Sequence, residues 1–237
     1  MELLTNGVGL SVVVFFPLIS AFIITLIPKA QEQLIKGFAL VSSLITFVLS
    51  AVLLFQFDFS SADKLQLGNK ISWIKSINAN YEIGIDGISL PLLVLSTFIT
   101  VLAIIYSIEH LPEPKSPKGF LALILVLETG MNGTFVALDL ILFFVFFEIV
   151  LLPMYFMIGI WGDKTVRTVS GFKNQIETRL YASIKFFVFT LFGSAFMLLG
   201  FLGLYYRGNK TFSIPELIEL GTSGAFTGTF ATLVFAV

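Results

Sequence analysis

Three ionisable side chains stand inside long apolar stretches of this 237-residue chain, and each could carry a proton: Glu148, Glu128 and Lys185. An ionisable group in mid-bilayer costs at least about 2.5–3.5 kcal/mol on insertion scales, which makes it a functional candidate first. Glu148 sits in LILFFVFFEIVLLPMYFMIGIW, apolar on both sides. It lies about twelve residues, hence about 18 Å, from the cytoplasmic end of its span. Pro153 follows five residues later and, lacking an N–H, frees the carbonyl of Ile149. A carboxylate beside such a loosened turn can gain a water or a polar partner, as a proton relay requires. The competing role is a structural carboxyl hydrogen-bonded to a neighbouring helix.

Glu128, in LALILVLETGMNG, is about nine residues or 14 Å into the preceding span. The connector between the two spans is very short, so they should be antiparallel neighbours with their glutamates at similar depth. If the two side chains also face each other, they would titrate as a coupled pair. Otherwise Glu128 bonds Thr129 or Asn132 and stays silent. Lys185, in RLYASIKFFVFTLFGSAF, is about one turn inside its span, where a lysine can either snorkel to the interface or join a relay. His110 follows Glu109 before a proline-rich turn and reads as a solvated loop residue. Asp139 reads as a cap at the start of a helix. Asp86, Gly87 and Ser89 read as a cap plus turn. WGDKTVRTVSG has no nucleotide-binding glycine pattern.

The elements that must position these groups are membrane helices. Hydrophobic residues make up 57% of the chain and charged residues 12%, with a mean hydropathy of +0.97. A soluble domain usually carries about 25% charge. Spans are expected at Val8–Ile27, Gly37–Phe55, Ile88–Ser107, Gly119–Ala137, Leu138–Ile160 and Tyr181–Tyr205, with a seventh starting near Ala225. The last thirteen residues rise only about 20 Å as a helix, short of a ~30 Å core, so the chain reads as the N-terminal part of a longer subunit. The fold class is an all-α polytopic transmembrane bundle, a single domain over 1–237. Between spans two and three, Tyr81, Ile83 and Ile85 alternate downstream of Gly68 and Asn69, which suggests an extracytoplasmic β-hairpin. Basic residues number eight on one set of loops and five on the other, placing the eight in the cytoplasm and the N-terminus outside. Glu2 is the only charge before the first span, which favours an uncleaved helix over a signal peptide.

Composition also excludes chemistry. With no cysteine and one histidine, thiol chemistry, iron–sulfur ligation and an all-protein zinc or haem site are not expected on this chain. A net charge of −1 gives no surface for nucleic acid. The 27 phenylalanines read as lipid-facing and packing surface.

Residues 119–162, GFLALILVLETGMNGTFVALDLILFFVFFEIVLLPMYFMIGIWG, closely resemble spans four and five of the M-type proton-translocating subunits of bacterial NADH–quinone oxidoreductase, respiratory complex I. FEIVLLPMY…GIWG is the most specific segment. IGIDGISLPLLVLSTF at 83–98 and RLYASIKFFVFTLFGS at 179–194 extend the likeness to essentially the whole chain. The resemblance implies that Glu148 pairs with a span-seven lysine beyond Val237, and that Glu128 and Lys185, at places that carry a glutamate and a lysine in many bacterial members, share in proton translocation. It implies a plasma-membrane chain in lipid, among other membrane subunits of the respiratory complex, that couples electron transfer from NADH to quinone to proton export. NADH, FMN, iron–sulfur clusters and quinone would all be held by partner subunits. The rivals are a D-type subunit of a multisubunit Na+/H+ antiporter, a formate- or hydrogenase-linked complex, and a structural membrane anchor.

Overall fold

A computed structural model describes residues 7–167, 176–226 and 228–236. Among these residues, six helices are long and apolar enough to cross a membrane: α1 (Val8–Leu26), α2 (Glu32–Gln56), α3 (Ser89–Glu109), α4 (Pro117–Val136), α5 (Leu140–Trp161) and α6 (Thr178–Arg207). They follow the expected spans closely. The larger differences are at α2, which begins five residues earlier at the charged end Glu32, and at α6. At 30 residues, α6 rises about 45 Å. Two short helices follow, α7 (Ile214–Thr222) and α8 (Thr229–Ala236). The first was not expected, and the second starts four residues after the predicted Ala225.

Helices α1 to α4 form a bundle, α5 packs on α4, and α6 packs on α5. Small residues set the tightest of these contacts. A Cβ on Gly130 would come within 2.7 Å of Val150 Cγ2, and one on Gly133 would collide with the Phe146 ring. In lipid, such close backbone approach supplies the packing that hydrophobicity alone cannot. Pro117 opens α4 at a position where a missing N–H costs nothing. Asp86 Oδ1 accepts from the N–H groups of Ile88 and Ser89, while Ser89 Oγ accepts from Asp86 N–H, so the predicted cap of α3 is present.

The expected hairpin is present as β1 (Gln66–Ile74) and β2 (Ala79–Ile85), antiparallel with Ile71 opposite Tyr81. Gly68 and Asn69 lie within β1 beside a register irregularity, and the turn is at Lys75–Asn78, with Asn78 left-handed (φ 54°). The hairpin then captures the α4–α5 connector. Leu138 N–H donates to Glu82 O at 2.8 Å, Leu140 N–H to Phe212 O at 2.9 Å, and Ile214 N–H to Leu138 O at 2.8 Å. The connector therefore behaves as an extra strand between β2 and the start of α7. At the opposite end, Arg179 Nη1 donates to Ile160 O, and Val166–Arg167 (β3) pairs with Ile176–Glu177 (β4).

Two apolar clusters fill the α1–α4 bundle. The one at the hairpin end includes Leu10, Val14, Leu53, Leu93 and Val136. The one at the other end includes Ile24, Ile35, Ile104, Leu121 and Leu125.

Candidate functional site

Helix α5 carries Glu148 near its middle, and its neighbours define where that side chain points. Phe146 and Val150 face α4, where they meet Gly133 and Gly130. At about 100° per residue, Glu148 falls on the opposite side of the helix. That side faces α6: Tyr155 packs on Phe187 and Gly159 lies against Ser183, while Phe143, from the flank of the helix, reaches Phe201. The same antiparallel register sets Glu148 opposite the turn around Ser194. Its Oε1 is buried and has no hydrogen-bond partner among the described residues. Pro153 is buried within an uninterrupted helix.

Lys185 is on α6 but not at this level. The register brings it opposite Met157, nine residues or about 13 Å along the axis from Glu148. Its side chain is exposed, with Nζ 5.5 Å from the Tyr181 ring centroid. The two do not form a pair in this structure.

Glu128 lies about one turn, or 6 Å, from the level of Glu148, since Gly119 meets Trp161 and Gly133 meets Phe146 along the same antiparallel interface, which sets Glu128 opposite Leu152. The expected neighbouring helices are therefore present, but the side chains do not face one another. Glu128 is two residues from Gly130, which places it on the side of α4 away from α5. It is completely buried, and neither carboxyl oxygen has a hydrogen-bond partner among the described residues. Asn132, one turn on, shares its face. Asn132 Nδ2 donates to Val13 O at 3.4 Å, and its Oδ1 accepts from Ser96 Oγ at 3.5 Å. The Val13 carbonyl is free to accept because Pro17, four residues on, has no N–H. Neither of the bonds suggested by the sequence, to Thr129 or to Asn132, forms: Thr129 Oγ1 donates to Leu125 O, and Asn132 is engaged elsewhere.

The weaker candidates take structural places. His110 is exposed and stacks on Tyr106 at 4.6 Å. Asp139 caps α5, accepting at Oδ1 from Ile141 and Leu142 N–H and at Oδ2 from Asn80 N–H, 2.9 Å away. Burial raises the Asp139 carboxyl above the ordinary range, and those three N–H groups draw it part of the way back. At the end of α5, Trp161 Nε1 donates to Pro114 O, and in the loop that follows the stretch from Thr168 to Gly171 falls outside the described residues. Sequence reasoning missed the polar company of Glu128. Its signal was present as hydroxyl residues recurring at helical spacing: Ser42, Ser43, Thr46 and Ser50 on α2, then Ser96, Thr97 and Thr100 on α3.

Comparison with known proteins adds an independent line. Residues 12–134 match the family described as NADH-ubiquinone oxidoreductase chain 4, amino terminus. Residues 137–237 match the family described as NADH:quinone oxidoreductase/Mrp antiporter, TM. Among curated proteins, F(420)H(2) dehydrogenase subunit M of Methanosarcina mazei is 36% identical over 213 residues, covering 88% of this chain and 39% of that protein. NADH-quinone oxidoreductase subunit M of Rickettsia prowazekii is 33% identical, covering 89% and 40%. The chain thus spans about two-fifths of the length of these relatives. A chain of respiratory complex I from Thermus thermophilus shares the fold, with a TM-score of 0.74 at 22% identity over 96% of this chain and 42% of that one. A chain of the Mrp complex from a Dietzia species does so at 0.73 and 16% identity, over 95% and 22%.

Proposed function

The chain belongs to the family of NADH:quinone oxidoreductase chain 4 and M subunits, and we propose that it forms the N-terminal helices of a proton-translocating subunit in a quinone-reducing membrane complex. Glu148 is the proton-carrying group of this reading, with Glu128 and Lys185 as further proton sites. The observation that carries it is the mid-helix Glu148 carboxyl, with a buried, unpartnered oxygen turned away from α4 toward α6. A buried carboxyl without a fixed partner is free to exchange a proton with a mobile one, whereas a structural carboxyl would be bonded in place. The electron donor belongs to partner subunits. The relatives named above include one for F(420)H(2) and one for NADH, and NADH is the donor proposed here.

The excess of basic residues on the loops after α1, α3 and α5 supports an orientation in which those loops face the bacterial cytoplasm, with the hairpin and the N-terminus outside. A subunit of a multisubunit Na+/H+ antiporter is the second reading, because one matching family spans both kinds of complex.

The test replaces Glu148 in the assembled complex. Glu148→Gln keeps the shape and the hydrogen-bonding capacity but holds no charge and carries no proton. Assembly and NADH oxidation by an artificial acceptor should persist, while quinone-coupled proton pumping should fall strongly. Glu148→Asp should retain part of it. Wild-type pumping by Glu148→Gln would make the carboxyl structural and end this reading.

A further inference from the structure

Between the two apolar clusters of the α1–α4 bundle lies a layer of buried polar side chains: Ser42, Ser43, Thr46 and Ser50 on α2, Ser96, Thr97 and Thr100 on α3, and Glu128, Thr129 and Asn132 on α4. Three cross-helix contacts fix the register. Ser50 Oγ and Thr97 Oγ1 are 2.7 Å apart, Ser96 Oγ donates to Asn132, and Asn132 donates to Val13 O. Stepping one turn from each contact brings Pro17, Thr46 and Thr100 to the level of Glu128. The layer is closed on one side by Leu125, Ile24 and Ile104, and on the other by Leu93, Val13 and Val136.

Most hydroxyl hydrogens of this layer are committed to backbone carbonyls, although Ser42 Oγ has no partner among the described residues and the contact between Ser50 and Thr97 needs one of its two hydroxyls as donor. Thr46 donates to Ser42 O, Ser50 to Phe47 O, Thr97 to Val94 O, Thr100 to Ser96 O and Thr129 to Leu125 O. What Thr46, Thr100 and Thr129 present to the bundle interior is therefore lone pairs. A carboxylate beside these three finds no donor in them, whereas a carboxylic acid brings one O–H that a hydroxyl oxygen can accept. Both oxygens of Glu128 are buried in this layer without a partner among the described residues.

From this arrangement we infer that Glu128 is an occluded proton-binding site in the middle of the α1–α4 bundle, separate from Glu148, and that Thr100 and Thr46 at its level offer acceptor oxygens to its acid form. It rests on the proposed function only for the identity of the ion. The two sites lie on opposite outer faces of the α4–α5 pair, so protons reach them by different routes. Entry to Glu128 requires the apolar layers to part, and Leu125, one turn along the same face of α4, belongs to the barrier on one side.

Infrared spectroscopy of the 237-residue chain in lipid nanodiscs tests this without electron transfer. The wild type should show a carboxylic acid C=O band that is absent from Glu128→Gln, displaced in Glu128→Asp and shifted to higher frequency in Thr100→Val. The band should shift in D2O, and it should do so faster in Leu125→Ala. Absence of the acid band would overturn the inference, as would its loss on adding Na+, since the site would then hold a metal cation. A band that never exchanges in D2O, even in Leu125→Ala, would make Glu128 a static structural acid and equally refute it. None of these results bears on Glu148, which is read only by pumping in the assembled complex.

Discussion

Asp139 offers a quantitative test of how the hairpin, the α4–α5 connector and α5 are joined. The residue has no exposed surface, and its two oxygens divide the work: Oδ1 serves the first turn of α5, Oδ2 serves the backbone of the hairpin at Asn80. Asp139→Ala removes both. Loss of an N-cap costs about 0.5–2 kcal/mol, and a buried N–H left without an acceptor about 1–3 kcal/mol, so together the change should destabilise the chain by about 2–4 kcal/mol. Asp139→Asn separates the two roles, because the amide keeps one acceptor oxygen and turns an NH2 toward the other site. Held by two N–H groups, the oxygen stays with α5 and the Asn80 N–H meets another donor. The asparagine variant should lose about 1–3 kcal/mol, all of it at the hairpin. Hydrogen exchange resolved to single amides checks this. Asp139→Ala should deprotect Asn80, Ile141 and Leu142, whereas Asp139→Asn should deprotect Asn80 alone. Unchanged protection of Asn80 in both variants would refute the claim that Asp139 joins the hairpin to α5.

Two further predictions concern the same end of the molecule. Lys70 bridges Glu82 at 3.1 Å and Glu216 of α7 at 2.8 Å. The Lys70 bond, with a second from Thr211, holds Glu216 below the usual carboxylate range, while the two carboxylates overcome burial and raise Lys70. The Glu216 contribution is thus complete above the unfolded value near 4.3 and fades as pH falls through the lowered folded value. That of Lys70 is complete below about 10.4 and fades as pH rises through the raised one. Protection factors of α7 amides should therefore hold level from roughly pH 5 to 10 and fall at both extremes; a level profile down to pH 2 would show that the bridge contributes nothing. For orientation, a water-soluble thiol reagent should label Ser76→Cys but not Ser116→Cys in intact cells, and the reverse pattern would invert the topology.

The long elements were legible because apolar runs of membrane length leave little choice of structure, and the backbone must satisfy its own hydrogen bonds in lipid. Residues 206–224 were harder to read. Their α7 helix is only nine residues long and is stabilised by its attachment to the connector through Leu138, a contact between residues 76 positions apart that no local pattern announces. The hairpin was legible from its second strand, but its turn was not. Asn78 supplies the left-handed residue, whereas the more suggestive Gly68 is spent inside β1, where its missing side chain leaves room for the Ile83 carbonyl.

For the candidate site, depth could be counted along the sequence while direction could not. Counting residues from the span ends places Glu128 and Glu148 at similar depth, and the register of the two adjacent antiparallel helices sets them about one turn apart. Which way each points depends on which face of α4 meets α5, and two small side chains decide that. Gly130 and Gly133 admit Val150 and Phe146, and a helix that presents its glycines to one partner must present the residues two positions away to another. The glycines in LETGMNG were therefore the readable clue: close contact at Gly130 turns Glu128 into the bundle, and its counterpart at Phe146 and Val150 turns Glu148 outward. The same geometry that packs the helices tightly keeps the two carboxyls on opposite faces of the α4–α5 pair. A charge on either is thus governed by its own surroundings, a hydroxyl layer for Glu128 and the α6 side for Glu148.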